Sequence, residues 1–165
     1  AGGLFAYLRM YEKVDDEIYR RALDELARVG LEEKARQPFG TLSQGERKKA
    51  LLARTMMANP DLLILDEPCA GLDPYEREKF LEALGEMARG DLTMLYVTHH
   101  VEEIVPLFTH VALMADGRML AAGPKREVLT PETLGETYGL PVSIDWENGR
   151  PWMRVGKPVR QGAGG

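Results

Sequence analysis

The sequence predicts an α/β protein, a core of parallel strands with a helical segment ahead of it. Two observations carry that expectation. Between residues 62 and 113 short apolar runs alternate with helical patterns, as in a sheet with helices on its faces. Residues 4–39, by contrast, read as helical and contain no strand signal.

The first expected helix covers residues 15–29. Asp15 or Asp16 can cap it, and Ile18, Ala22, Leu26 and Val29 form an apolar stripe at helical spacing. Gly30 stands at the usual stop position, with Leu31 placed to pack back. Gln37-Pro38-Phe39-Gly40 is a loop. A second helix covers 44–58 and ends at Asn59-Pro60, since the residue before proline is biased out of the α region. The continuous apolar run at 62–65 suits a strand buried on both faces of a parallel sheet. Asp73 as cap and Pro74 at the first position open a third helix over 74–88. A second buried strand follows at 93–97, then a helix over 101–108. Strands at 111–114 and 118–121 are joined by Ala115-Asp116-Gly117, a hairpin signal. A short helix at 134–138 precedes a terminal hairpin, 142–146 with 151–155, turning at Asn148-Gly149. These elements divide into a helical subdomain at 1–58, the C-terminal part of an α/β core at 59–140, the hairpin at 141–157 and a disordered tail at 158–165.

Composition narrows the class. At 165 residues the chain fits one domain able to bury about 70% of its surface. No apolar run approaches the roughly 20 residues of a membrane helix, and the N-terminus has no signal-peptide pattern. Cys69 is the single cysteine, which excludes an intrachain disulfide and points to a reducing, cytoplasmic compartment. A net charge of −5 gives no reason to expect nucleic acid as a partner.

Two motifs carry chemistry. Ser43-Gln44-Gly45-Glu46 has the form of a capping box. Read blandly it is a helix N-terminus satisfying its own amides. Read functionally, Gly45 lets backbone approach a ligand, and the Ser43 hydroxyl, free amides and helix dipole face an anion. Asp66-Glu67 ends an apolar strand, where ligands of open α/β sheets bind. Asp66 could hold Mg²⁺ through water, and Glu67 could orient and deprotonate an attacking water. The bland alternative is a strand-end pair facing solvent or an arginine. Ala70-Gly71-Leu72-Asp73 then makes a tight turn into a capped helix. The strand at 93–97 delivers His99 to the same edge of the sheet, where it could donate to a terminal phosphate.

In this order and spacing the motifs resemble those of the ATP-binding cassette (ABC) ATPases, a P-loop NTPase-type fold. Leu42 to Glu46 resembles the family's signature, with Gln44 where glycine is commonest and Glu46 where glutamine often stands. Residues 62–67 resemble its Walker B strand with the catalytic glutamate, Ala70 to Asp73 its D-loop, and His99 its switch histidine. The resemblance spans about residues 11–123. It implies ATP and Mg²⁺ as cofactors, Glu67 and His99 as catalytic residues and Asp66 at the metal. It also implies a head-to-tail dimer with a second ATPase domain, in which Ser43, Gln44, Gly45 and Glu46 contact the nucleotide held by the partner and Asp73 lies near the seam. A membrane permease is the implied docking partner, placing the protein on the cytoplasmic face of the membrane. A soluble non-transport ATPase and a non-catalytic module lending its signature are the alternatives.

The family's phosphate loop, G-x-x-x-x-G-K-[ST], does not occur in these residues; Gly156-Lys157 is followed by Pro158. The chain therefore resembles the C-terminal part of a nucleotide-binding domain, expected to be inactive alone. Among lesser features, Arg47, Lys48, Lys49 and Arg54 read as a solvated helix face and Cys69 as a small filler. His100 and His110 read as surface or packing residues, and Trp146 and Trp152 as a pair packed across the hairpin. Met56, Met57, Met114 and Met119 read as core gap-fillers.

Overall fold

The computed structural model describes residues 15–88 and 91–156. The chain divides into two compact units, with the boundary in sequence between His99 and His100. The expected tail at 158–165 lies outside the described residues.

The first unit holds α1 (Asp16–Arg28), α2 (Gln44–Met56), β1 (Leu62–Asp66), α3 (Pro74–Met87) and β2 (Thr93–Val97). Each helix starts where its cap predicts. Asp15 accepts from the Glu17 amide, Ser43 from that of Glu46 and Asp73 from that of Glu76. Gly30, at φ 68, ends α1 and turns the chain so that Leu31 donates back to Leu26 and is buried. The three helices pack on one another, and Phe80, Leu84 and Met87 of α3 are almost fully enclosed.

β1 and β2 pair in parallel with Leu62 opposite Thr93 and Asp66 opposite Val97. Burial alternates along both strands. Leu63 is buried, while Leu62, Ile64, Leu95 and Val97 are between 44% and 59% exposed. The expectation of strands covered on both faces is thus corrected: among the described residues only one face is covered. A continuous apolar run records that both faces are fit for burial, without recording whether a neighbour is present to bury them.

The second unit holds β3 (His110–Ala115), β4 (Arg118–Pro124), α4 (Lys125–Val128), α5 (Pro131–Tyr138), β5 (Val142–Glu147) and β6 (Arg150–Val155). Two antiparallel hairpins turn at Asp116-Gly117 and Asn148-Gly149, all four residues at positive φ as this tight turn requires. The core gathers Val101, Leu129 and Leu134, with Ile104, Val111, Leu113, Ile144, Trp146 and Met153 packed around them. Four expectations change here. The helix over 101–108 is only a 3-10 turn, Val101–Glu103, because Val105 precedes Pro106 and is pushed out of the α region. The short helix begins earlier than expected, at Pro131, with Thr130 as its cap. Trp146 faces inward opposite Pro151 while Trp152 faces outward opposite Asp145, so the tryptophans lie on opposite faces of the hairpin. Met114 and Met119 are more than 60% exposed rather than filling a core.

Candidate functional site

The first unit brings Asp66, Glu67 and His99 together. β1 ends on Asp66 and β2 ends one residue before Thr98, so parallel pairing sets their carboxyl ends side by side. Glu67 donates its amide to the Val97 carbonyl at 2.9 Å and then leaves the strand at φ 45. Left-handed backbone at a residue other than glycine costs on the order of 1–3 kcal/mol and persists only where surroundings hold it. Here it throws the carboxylate sideways, across to His99. Glu67 Oε1 and His99 Nδ1 are 2.6 Å apart. An ionised carboxylate can only accept, so Nδ1 carries the proton and donates. The glutamate side chain is two-thirds covered and the histidine largely exposed. Asp66 is exposed, on the same face of the sheet as Leu62 and Ile64.

The N-terminus of α2 holds the second group. The capping box of Ser43 and Glu46 is complete. Both carboxylate oxygens of Glu46 are engaged within the chain, Oε2 by the Ser43 amide at 2.9 Å and Oε1 by the Lys34 ammonium. The Lys34 hydrogen bond first, and the Ser43 amide second, hold the Glu46 carboxyl below its ordinary value. Ser43 is exposed and Gly45 is buried.

Gly45 has a reason of its own to be glycine. A Cβ built there would fall inside the Glu76 carboxylate, with Cδ at 2.8 Å and Cβ at 3.2 Å. Gly71, at φ 76, faces the Gln44 amide nitrogen, which a Cβ would meet at 2.8 Å. The signature segment therefore packs on the turn through Gln44 against Gly71, and on α3 through Gly45 against Glu76. Asp73 is occupied as the cap of α3, accepting the Glu76 amide at 2.9 Å.

Sequence reasoning missed Glu76 and misread Lys48. Lys48 is part-buried, and its ammonium reaches the carbonyls of Pro68 at 2.5 Å and Ala70 at 2.8 Å. Both contacts join residues about twenty positions apart or more, so no local pattern announced them. Cys69 is buried, with the Tyr96 hydroxyl 3.3 Å from its sulfur.

Among the described residues no group of three or more histidine, cysteine or acidic side chains could hold a metal. A single exposed carboxylate at a strand end, Asp66, fits Mg²⁺ carried on nucleotide phosphates, since that ion keeps several waters and takes one or two carboxylates.

The chain is similar to known proteins in sequence and in fold. The family model described as "ABC transporter" matches residues 3–70. The uncharacterized ABC transporter ATP-binding protein YlmA of Bacillus subtilis is 38% identical over 159 residues, 95% of this chain and 60% of that protein. The chain thus spans about three-fifths of the length of that relative. Among solved structures, an ABC transporter in an inward-facing conformation has the same fold, with a TM-score of 0.74 at 23% identity over 92% of this chain and 61% of that one. CbiO1 of Clostridium perfringens, part of the ABC transporter complex cbiONQ, gives a TM-score of 0.65 at 29% identity, covering 77% of this chain and 51% of that one.

Proposed function

We propose, from its similarity to ABC transporter ATP-binding proteins, that the chain is the C-terminal part of an ATP-binding subunit of that family. In this reading the whole subunit couples binding and hydrolysis of Mg-ATP to transport. The observation that carries it is the 2.6 Å bond between Glu67 and His99 at the ends of neighbouring parallel strands, beside Asp66.

The residues divide the work. Glu67 is the general base: with Oε1 held by the Nδ1 proton of His99, Oε2 takes the proton of a water aimed at the γ-phosphate. His99 fixes the glutamate's rotamer, and a protonated Nε2 can donate to the phosphate as well. Asp66 would hold Mg²⁺ through water, and the ion would supply positive charge to offset that of the nucleotide's phosphates. Ser43 and the first amides of α2 face the nucleotide held by a second ATPase domain in a head-to-tail pair. Glu46 supports them by keeping the cap closed, Gln44 seats the segment against Gly71 of the following turn and Gly45 against Glu76 of α3, and Asp73 lies near the seam. The helical segment at 15–58 and a membrane permease complete the arrangement, on the cytoplasmic face.

Hydrolysis needs a phosphate cradle that these residues do not contain, so the 165-residue chain by itself does not turn over ATP. In the full-length subunit with its permease, Glu67→Gln retains ATP binding and loses about 10²–10⁴ in turnover. Normal turnover by that variant would remove Glu67 as the base. Steady hydrolysis by the isolated chain, abolished by Glu67→Gln, would contradict the divided site.

A further inference from the structure

The turn that carries Glu67 has few supports of its own. Beyond the left-handed residue, the Ala70 amide donates to the Glu67 carbonyl at 3.0 Å and the Leu72 amide to that of Cys69 at 3.1 Å. The carbonyls of Pro68 and Ala70 are both taken by the Lys48 ammonium. Lys48 lies one helical turn beyond Gln44, on the same face of α2. That face meets the turn twice, at Gln44 against Gly71 and at Lys48 against the two carbonyls.

We infer that Lys48 is a positioning residue for Glu67, clamping the turn from Pro68 to Ala70 against α2 so that the glutamate stays aimed at His99. An ammonium has three N–H donors and can bridge two carbonyls two residues apart. An apolar side chain of similar length fills the space and leaves both acceptors without that donor. Since Ser43 caps the same helix, the clamp also joins the segment facing the partner's nucleotide to the base serving this chain's own. The inference rests on the ATPase reading above.

The test uses the full-length subunit assembled with its permease. Lys48→Met is expected to lower kcat about tenfold while KM for ATP and nucleotide binding stay within about twofold of wild type. Lys48→Gln restores N–H donors without the charge and is expected to recover part of the loss. Where Lys48→Met does not fold, Lys48→Ala carries the same expectation. Wild-type kcat in the substituted protein overturns the inference, as does a loss confined to KM. Glu67→Gln is assayed beside them. If it is inactive while Lys48→Met is fully active, only the clamp fails. If Glu67→Gln turns over normally, the ATPase reading fails first.

Discussion

Gly45→Ala puts a number on the contact between α2 and α3. Alanine is favoured over glycine in a helix by about 1 kcal/mol, so on propensity alone the substitution is stabilising. Packing opposes it. The new methyl overlaps the Glu76 carboxylate and stands 3.2 Å from that residue's Cβ, within a site where Gly45 is buried. Overpacking of this kind costs about 1–3 kcal/mol. The net expectation is a loss of about 1 kcal/mol with Glu76 in place. Glu76→Ala removes the carboxylate, including an Oε2 that is buried without a hydrogen-bond partner among the described residues. In that background Gly45→Ala turns neutral or stabilising, because only the Cβ contact remains. The cycle of four proteins should therefore show a coupling of about 1–2 kcal/mol, well above the few tenths seen for independent sites. Urea unfolding followed by circular dichroism measures it, in a length of chain that unfolds in one transition. A Gly45→Ala variant equally stable in both backgrounds, with coupling below about 0.5 kcal/mol, refutes the packing account of Gly45.

Two further predictions follow from the same unit. Glu46 has a folded pKa below the ordinary 4.5, first through Lys34 and then through the Ser43 amide. Its contribution is therefore complete above pH 4.5 and is lost as pH falls through the lower folded value. The stability advantage of wild type over Glu46→Gln should be constant at neutral pH and shrink in acid. An advantage that persists at pH 2 would show that the charge is not its source. On the open face of β1 and β2, four apolar side chains are about half exposed. At about 1.5–3 kcal/mol for complete burial of each, a covering segment stands to gain on the order of 3–6 kcal/mol. Ile64→Thr with Leu95→Thr should reduce dye binding and aggregation of the isolated chain while changing its unfolding midpoint little. A large drop in midpoint would mean that the face is buried in solution.

What the sequence shows well is local. Asp15, Ser43 and Asp73 announce their helices because a cap is a contact between residues two or three apart. Asp116-Gly117 and Asn148-Gly149 announce their hairpins because few residues tolerate those dihedrals. The juxtaposition of Glu67 and His99 was also within reach, since parallel strands deliver their carboxyl ends to one edge. The opposite facing of Trp146 and Trp152 could have been read too: a two-residue turn pairs Glu147 with Arg150, and period two does the rest. The 101–108 segment was misread for want of weight on Pro106. Exposure of Leu62 and Ile64 and the grip of Lys48 on Pro68 and Ala70 had no local signature at all.

Gly45 shows why such a site is only half legible. A glycine at a helix start reports that a Cβ is forbidden there, and says nothing about which atom forbids it. A ligand's phosphate and a neighbouring carboxylate leave the same mark on the sequence. Here Glu76 occupies one side of the residue, so packing by itself offers a reason for the lack of a side chain. In the proposed reading, Ser43 and Gln44 are the side chains of this segment that packing leaves exposed to a nucleotide. It follows that Ser43 and Gly45 should separate experimentally. Ser43→Ala acts on the cap and on whatever anion faces it, so its cost in turnover should survive in a Glu76→Ala background. The cost of Gly45→Ala should fall away there, because the obstacle it creates belongs to α3 and not to the ligand.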